Sequence, residues 1–192
     1  MAITRLGPNQ SVNLASNVTG TLPVANGGTA LTSGFVNGGG LTMADQWRIT
    51  ADFSSQSGNI TSNFEQVDGG GQGTLGSAMT ESSGVFTFPS TGIYLVKFNH
   101  NYYYNGFNQY NQARIMVTTN NSSYSTRAES NQATANESNN YYVSTMAETT
   151  VDVTDTANVK VMFQISAAQT ITTRGRSSDN LTNFTFLRLG AT

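Results

Sequence analysis

From residue 41 onward the chain consists of short runs in which apolar and polar residues alternate, and clusters of Gly, Asn and Ser separate these runs. Alternation with a period of two is typical of β-strands that bury one face, and such clusters mark turns. In the clearest run, Val159, Val161, Phe163 and Ile165 share one face. The pattern predicts eight strands, at residues 46–53, 84–88, 92–103, 112–119, 124–128, 141–153, 158–165 and 180–189. No long helical pattern interrupts them, so we expect an all-β sandwich.

The first 40 residues have a different pattern. They hold eight of the 19 glycines, two of the three prolines and a single charge, Arg5. Neither a helical nor a strand period persists there, so we expect an extended, Gly-rich N-terminal arm (1–40) in front of a globular head (41–192). An arm of this kind becomes ordered only against another surface, and we predict that it anchors the head to a larger assembly. The residues expected to anchor it are Arg5, Leu6, Pro8, Leu22 and Pro23.

Residues 86–98 combine a short strand, a Pro-containing turn and a longer strand. Gly92 opens the longer strand, on which Tyr94, Val96 and Phe98 share the predicted core face. The spacing of these residues after Phe86 resembles the signature of the trimeric jelly rolls in the globular head of complement's first component and in tumour necrosis factor. The match is incomplete, because Val96 stands where those families more often have Phe.

The closing run, residues 183–189, also resembles the last strand of the complement-type family. Together the two resemblances imply an antiparallel two-sheet jelly-roll sandwich. They also imply that the head assembles as a homotrimer, because three-fold packing hides apolar area economically if the flank of the jelly roll carries an excess of it. Domains of these families bind other molecules and do not catalyse reactions.

Residues 18–30 read Val-Thr-Gly-Thr-Leu-Pro-Val-Ala-Asn-Gly-Gly-Thr-Ala. They resemble a phrase that recurs in tail-fibre and related virion proteins of tailed bacteriophages, although Ala30 stands where the phrase commonly has Gly. A generic Gly-rich linker is the alternative. The resemblance implies a structural virion protein, a short homotrimeric surface fibre whose partners are other tail or capsid proteins. A capsid decoration or head-fibre protein and a secreted complement-like recognition module are the alternative functions.

Composition narrows the choice of partners. Charged residues are 10% of the chain, against about 25% in a typical domain, and the net charge is −2 with the cations scattered. Nucleic-acid binding is therefore not expected. The absence of Cys is ordinary for a bacterial or phage protein. Because no run of 18 apolar residues and no signal-like N-terminus occurs, we expect no membrane insertion. We expect instead that the protein is assembled in the host cytoplasm and displayed on the virion surface.

Catalytic and metal-binding motifs are not found. The single histidine, His100, has no accompanying nucleophile motif, so we predict no enzyme activity and no cofactor. We interpret His100 as hydrogen-bonded within the fold. The alternative is that it belongs to a pH-sensitive interface. The close carboxylate pairs are Asp45 with Asp52 and Asp152 with Asp155. Neither pair resembles a calcium loop, and Asx-turn chemistry accounts for Asp155, so no metal site is predicted.

Residues 99–112 form the densest tract of amides and aromatic rings, and residues 138–142 echo it. Flat rings flanked by amides suit the CH faces and hydroxyls of sugars, so this tract is a candidate patch for a host glycan or receptor. The alternative, which we favour from sequence, is that the rings pack at a three-fold interface or bridge strands. The candidate residues are Tyr102, Tyr103, Tyr104, Phe107, Tyr110, Tyr141 and Tyr142.

Overall fold

Eleven antiparallel strands and no helix make up residues 40–135 and 139–192, the part of the chain that the computed structural model describes. The predicted anchoring residues Arg5, Leu6, Pro8, Leu22 and Pro23 lie outside these ranges. The strands are β1 (Met43–Ile49), β2 (Ala51–Asn59), β3 (Phe64–Gln66), β4 (Thr80–Ser82), β5 (Val85–Thr87), β6 (Gly92–Asn105), β7 (Asn111–Thr118), β8 (Ser125–Gln132), β9 (Asn140–Val153), β10 (Lys160–Arg176) and β11 (Asn183–Gly190).

The strands form two layers. Layer one has the order β3-β1-β11-β6-β9. Layer two has the order β4-β5-β10-β7-β8, with β2 beside β10. Near its end, β10 leaves β7 and pairs through Thr172 and Thr173 with Tyr103 and Tyr102 of β6, so a single strand joins the two layers at this side.

Aromatic rings fill the space between the layers. The ring of Phe163, on β10, lies 4.3 Å from that of Phe184 on β11 and 5.2 Å from that of Phe98 on β6, measured between centroids. Phe86 packs edge-on against Trp47 at 5.4 Å. These side chains alternate along their strands with outward-facing residues, which confirms the two-residue period. The predicted face of Val159, Val161, Phe163 and Ile165 is buried throughout.

The motif at residues 86–98 has a structural role. The Phe86, Tyr94, Val96 and Phe98 side chains are all fully buried. The Tyr94 hydroxyl donates to the carbonyl oxygen of Ser90 at 2.9 Å, which closes the Pro-containing turn. Gly92 has φ of +146°, and a Cβ atom there would lie 2.5 Å from the carbonyl oxygen of Gly190. Only glycine fits this close approach between β6 and β11.

All eight predicted segments contain strands, and three features differ. The predicted strand at residues 46–53 is broken at Thr50, where the chain passes from layer one (β1) to layer two (β2). The three-residue strands β3 and β4 are too short for a periodic pattern to reveal. Finally, β10 continues beyond Ile165 to Arg176 across a register shift between Ser166 and Ile171, where the bulge interrupts the alternation.

Candidate functional site

Tyr102 is an interior residue. Its side chain is 0% exposed, and its hydroxyl donates to the carbonyl oxygen of Gln132 at 3.1 Å. Burial raises the pKa of Tyr102 to about 12. The structure therefore corrects the prediction that Tyr102 belongs to a surface patch, because strand alternation points it into the core together with Phe98 and His100.

Tyr104 and Tyr141 lie opposite each other on β6 and β9. Tyr104 follows Tyr102 by two residues, so it lies on the same side of β6, where it packs against a small buried cluster around Tyr102 and Ile171. Both Tyr104 and Tyr141 are half-buried. Their assignment to a ligand patch stays a prediction.

Tyr103 and Tyr142 point outward and are brought together. They are paired across β6 and β9, with ring centroids 5.6 Å apart and planes inclined by 45°. The Tyr142 side chain is 62% exposed. The guanidinium carbon of Arg174, on β10, lies 4.8 Å from the centroid of the Tyr142 ring. We call Tyr103, Tyr142 and Arg174 the aromatic-cation corner.

Sequence reasoning did not identify Arg174, because it lies far along the chain from both tyrosines. It reaches them because the last part of β10 crosses from layer two to pair with β6. A cationic residue at the end of a long strand carries no local signal of this contact.

Phe107 and Tyr110 occupy the loop between β6 and β7 and are 50% and 38% exposed. Hydrogen bonds from the backbone of this loop to residues outside it hold the loop in place. The N–H of Asn108 donates to Oγ1 of Thr134 at 2.7 Å, and the N–H of Thr134 returns a bond of 3.0 Å to the carbonyl of Asn108. The carbonyl of Tyr110 accepts the N–H of Ala168 at 3.0 Å. These two rings are therefore presented at an end of the sandwich on a braced loop.

The outward side of layer one, which we call the layer-one face, changes in character along its strands. At one end, Ala44, Leu187 and Leu95 lie in register across β1, β11 and β6, and Ile93 precedes them on β6. All four are half-buried in the single chain. Next come the paired charges Lys97 and Glu148, 3.1 Å apart, and then the 54% exposed Met146, where the layer-one face ends. The tyrosines of the aromatic-cation corner lie beyond it on β6 and β9.

A polar network lies on the outward side of layer two. Nε of Arg114 lies 2.6 Å from the carboxylate of Glu129, and its Nη1 donates to Gln164 at 3.1 Å. Nε2 of Gln112 donates to the same Glu129 at 2.9 Å. Such a surface satisfies its own hydrogen bonds and is stable in contact with water. The same side also carries a half-buried apolar row, in which Val85, Met162 and Met116 lie in register across β5, β10 and β7.

His100 is fully buried between the layers. Its ring stacks between those of Phe98 and Tyr102, at centroid distances of 5.7 and 5.4 Å. The Asn111 amide donates to Nδ1 at 3.1 Å, so the proton of the neutral ring lies on Nε2, 2.8 Å from Oγ1 of Thr173. Burial lowers the pKa of His100 to about 3. These contacts confirm the hydrogen-bonded interpretation and exclude a position on an exposed interface.

Two of the carboxylates considered for a metal site, Asp45 and Asp155, are hydrogen-bonded within the fold. Asp45 is buried and accepts hydrogen bonds from the Trp47 ring N–H at 2.9 Å, the Gln66 amide at 3.0 Å and the Met79 backbone N–H at 2.8 Å. Asp155 accepts the N–H of Ala157 at 2.8 Å, which confirms the Asx turn. Among the described residues, no group of three or more His, Asp or Glu side chains is placed to hold a metal ion.

On the surface of the described residues, two grooves are open to solvent. One, of about 230 Å³, is lined by Phe53, Ser54, Ser55, Asn59, Ile60, Thr61 and Ser62. The other, of about 280 Å³, is lined by Val117, Thr119, Arg127, Thr149, Thr150, Val151 and Asp152. Neither groove brings two carboxylates together, as a glycoside hydrolase would require.

Comparisons with known proteins show the fold. No protein-family model matches the chain, and no curated protein sequence does. Murine APRIL at pH 5.0 superposes with a TM-score of 0.54 and 11% identity, covering 77% of this chain and 98% of that one. The Eiger TNF of S. frugiperda superposes with a TM-score of 0.59 and 10% identity, covering 80% and 96%.

The head is thus a jelly roll of the tumour necrosis factor type, which confirms the fold implied by residues 86–98. The similarity to APRIL and to Eiger TNF concerns architecture, since identities of 10 to 11% show the fold and nothing finer. Within the ranges 40–135 and 139–192, the structure contains no helix long and apolar enough to cross a membrane.

Proposed function

We propose that the chain is the subunit of a homotrimeric, non-enzymatic recognition head, and that the layer-one face is its subunit interface. The observation that carries the proposal is the apolar end of the layer-one face, together with the 54% exposed Met146 further along it. Leu95 and Leu187 lie side by side at this end, while on layer two Arg114 pairs with Glu129 and donates a hydrogen bond to Gln164.

Burying apolar surface contributes about 25 cal/mol per Å² removed from water, so the apolar end of the layer-one face favours association. The face also carries its own ion pair, Lys97 with Glu148, so that its central charges enter an interface already neutralised. Three copies are proposed because the families that residues 86–98 resemble form trimers around a shared axis.

The interface is tested with a matched pair of variants. Leu95→Arg places an unpaired cation in the apolar end of the layer-one face. Met162→Arg makes the same kind of change on the outward side of layer two, where Met162 lies in register with Met116. We expect wild type and Met162→Arg to have three times the 20.5 kDa chain mass in light scattering, and Leu95→Arg to be monomeric. A monomeric wild type, or a trimeric Leu95→Arg, contradicts the proposal.

We further propose that the head is a short surface projection of a tailed-phage virion, a tail fibre anchored by residues 1–40. Support comes from the phrase at residues 18–30 and from the change of composition at residue 41. The partners of the arm would be other virion proteins. Electron microscopy of intact particles carrying labelled protein tests this proposal. Density on the tail supports the fibre, density on the capsid indicates a decoration protein, and absence from particles removes the virion role.

A further inference from the structure

We infer that the aromatic-cation corner of Tyr103, Tyr142 and Arg174 is a binding site for an acidic saccharide. The inference rests on the proposed recognition function and specifies the ligand chemistry of one site. Tyr103 lies eight residues beyond Leu95 on β6, so the corner is about 26 Å from the apolar end of the layer-one face, at 3.3 Å per residue.

Arg174 is a cation whose N–H donors are not used by any of the described residues. The ion pairs of the described residues involve Arg48, Lys97, Arg114 and Arg176. Arg174, in contrast, makes no ion pair or hydrogen bond with any described residue. Its guanidinium instead makes a cation–π contact with the Tyr142 ring. Asp52, on the neighbouring β2, accepts the backbone N–H of Gly175 at 2.8 Å and does not pair with Arg174. A half-buried guanidinium with unused N–H groups fits a carboxylate in bidentate geometry.

The two tyrosines supply the surface for a sugar ring. Their planes meet at 45°, and Tyr142 remains 62% exposed despite its contacts with Tyr103 and Arg174. Both tyrosines stand on paired strands, and β6 is held between β9 and β10 at this point. Binding therefore orders few additional side chains, which lowers its entropic cost.

Hydroxyl and amide groups flank the rings. Thr172 lies opposite Tyr103 on β10, and its hydroxyl is 3.2 Å from that of Ser54. On the other side, the Asn101 amide donates to the exposed Ser144 hydroxyl at 2.7 Å. A saccharide offers hydroxyl donors for such acceptors, CH faces for the rings and, if acidic, a carboxylate for Arg174. An acidic peptide would satisfy only the last of these.

The test measures binding of two acidic probes, 3′-sialyllactose and trigalacturonate, against the neutral sugars lactose and maltotriose, by titration calorimetry on the full chain. We expect each acidic probe to bind at least about tenfold more tightly than its neutral counterpart, with affinity falling as salt rises. Arg174→Gln should abolish this preference, and Tyr142→Ala should weaken both classes. Arg127→Gln is the control, because Arg127 is an exposed arginine on β8, away from the corner.

Equal binding of acidic and neutral sugars, no binding of either acidic probe, or an unchanged preference in Arg174→Gln would overturn the inference. Light scattering on each variant separates this result from a failure of the proposed function. If Tyr142→Ala or Arg174→Gln dissociates the assembly, the corner is a subunit contact and the inference fails while the trimer stands. If wild type is monomeric and still prefers acidic sugars through Arg174, the trimer proposal fails and the site stands.

Discussion

Acidification from pH 7 to pH 5 should destabilise the head chiefly through His100. The imidazole is fully buried, stacked between two rings and hydrogen-bonded to Thr173 and Asn111 in its neutral form. The chain has a single histidine, and its carboxylates have ordinary pKa values near 4 when unfolded. Between pH 7 and pH 5, His100 is therefore the dominant side chain whose protonation differs between the folded and unfolded states.

The magnitude follows from the two pKa values. Burial lowers the pKa of His100 from 6.5 to about 3 in the folded state, so below pH 6.5 the unfolded state binds the proton and the folded state does not. Stability is complete above pH 6.5 and decreases as the pH falls toward 3. Linkage at about 1.4 kcal/mol per pH unit gives a loss of about 2 kcal/mol between pH 7 and pH 5.

Urea unfolding at fixed protein concentration measures this loss, followed by fluorescence of the single tryptophan, Trp47, which packs 5.4 Å from Phe86. His100→Gln is the control, because it retains hydrogen-bonding capacity without titrating. The wild type should lose about 2 kcal/mol more than the variant between pH 7 and pH 5. Equal losses in the two proteins would show that His100 is protonated in the folded state, and the geometry described for it would be wrong.

Three further changes test other parts of the account. Asp45→Asn replaces a carboxylate, which accepts hydrogen bonds at both oxygens, with an amide that accepts at one end only. The substitution should lower the free energy of unfolding in urea by about 2 kcal/mol. An unchanged unfolding midpoint would contradict the hydrogen bonds described for Asp45. Gly92→Ala places a Cβ 2.5 Å from a carbonyl oxygen and should lower the free energy of unfolding by about 2 kcal/mol or more. Gly73→Ala is the control, because a Cβ there meets open space, and it should change that free energy by no more than about 0.5 kcal/mol. Equal effects of the two substitutions would refute the steric argument. Deleting residues 1–40 should leave the head's circular dichroism unchanged and abolish particle incorporation, and a truncated protein that is still incorporated refutes the anchoring role.

Much of the fold could be predicted because burial in a two-layer sandwich imposes a period of two. The side chains of Tyr94, Val96 and Phe98 alternate with outward residues, and that alternation is visible in the sequence. The role of Asp45 was not visible, since its partners Gln66 and Met79 come from loops and short strands with no pattern of their own. Periodicity predicts which side of a strand is buried, but it does not predict which groups a buried polar side chain contacts.

The candidate site shows the same limit. The composition of the tyrosine tract predicts a single surface patch, although alternation along β6 separates Tyr102, in the core, from Tyr103, on the surface. Counting two residues at a time from Phe98 would have placed Tyr102 inside. Arg174 could not be found in this way, because its approach to Tyr142 depends on the path of β10 between the layers.

The central claim, that the layer-one face is buried between three copies, is tested most directly by methionine oxidation. Met146 is 54% exposed in the single chain and lies on that face, whereas Met162 lies half-buried on the outward side of layer two. We predict that, under mild peroxide, Met146 is protected in the wild type and becomes reactive in Leu95→Arg, with Met162 unchanged between the two. Rapid oxidation of Met146 in the wild type, at the rate found in the variant, would contradict the account.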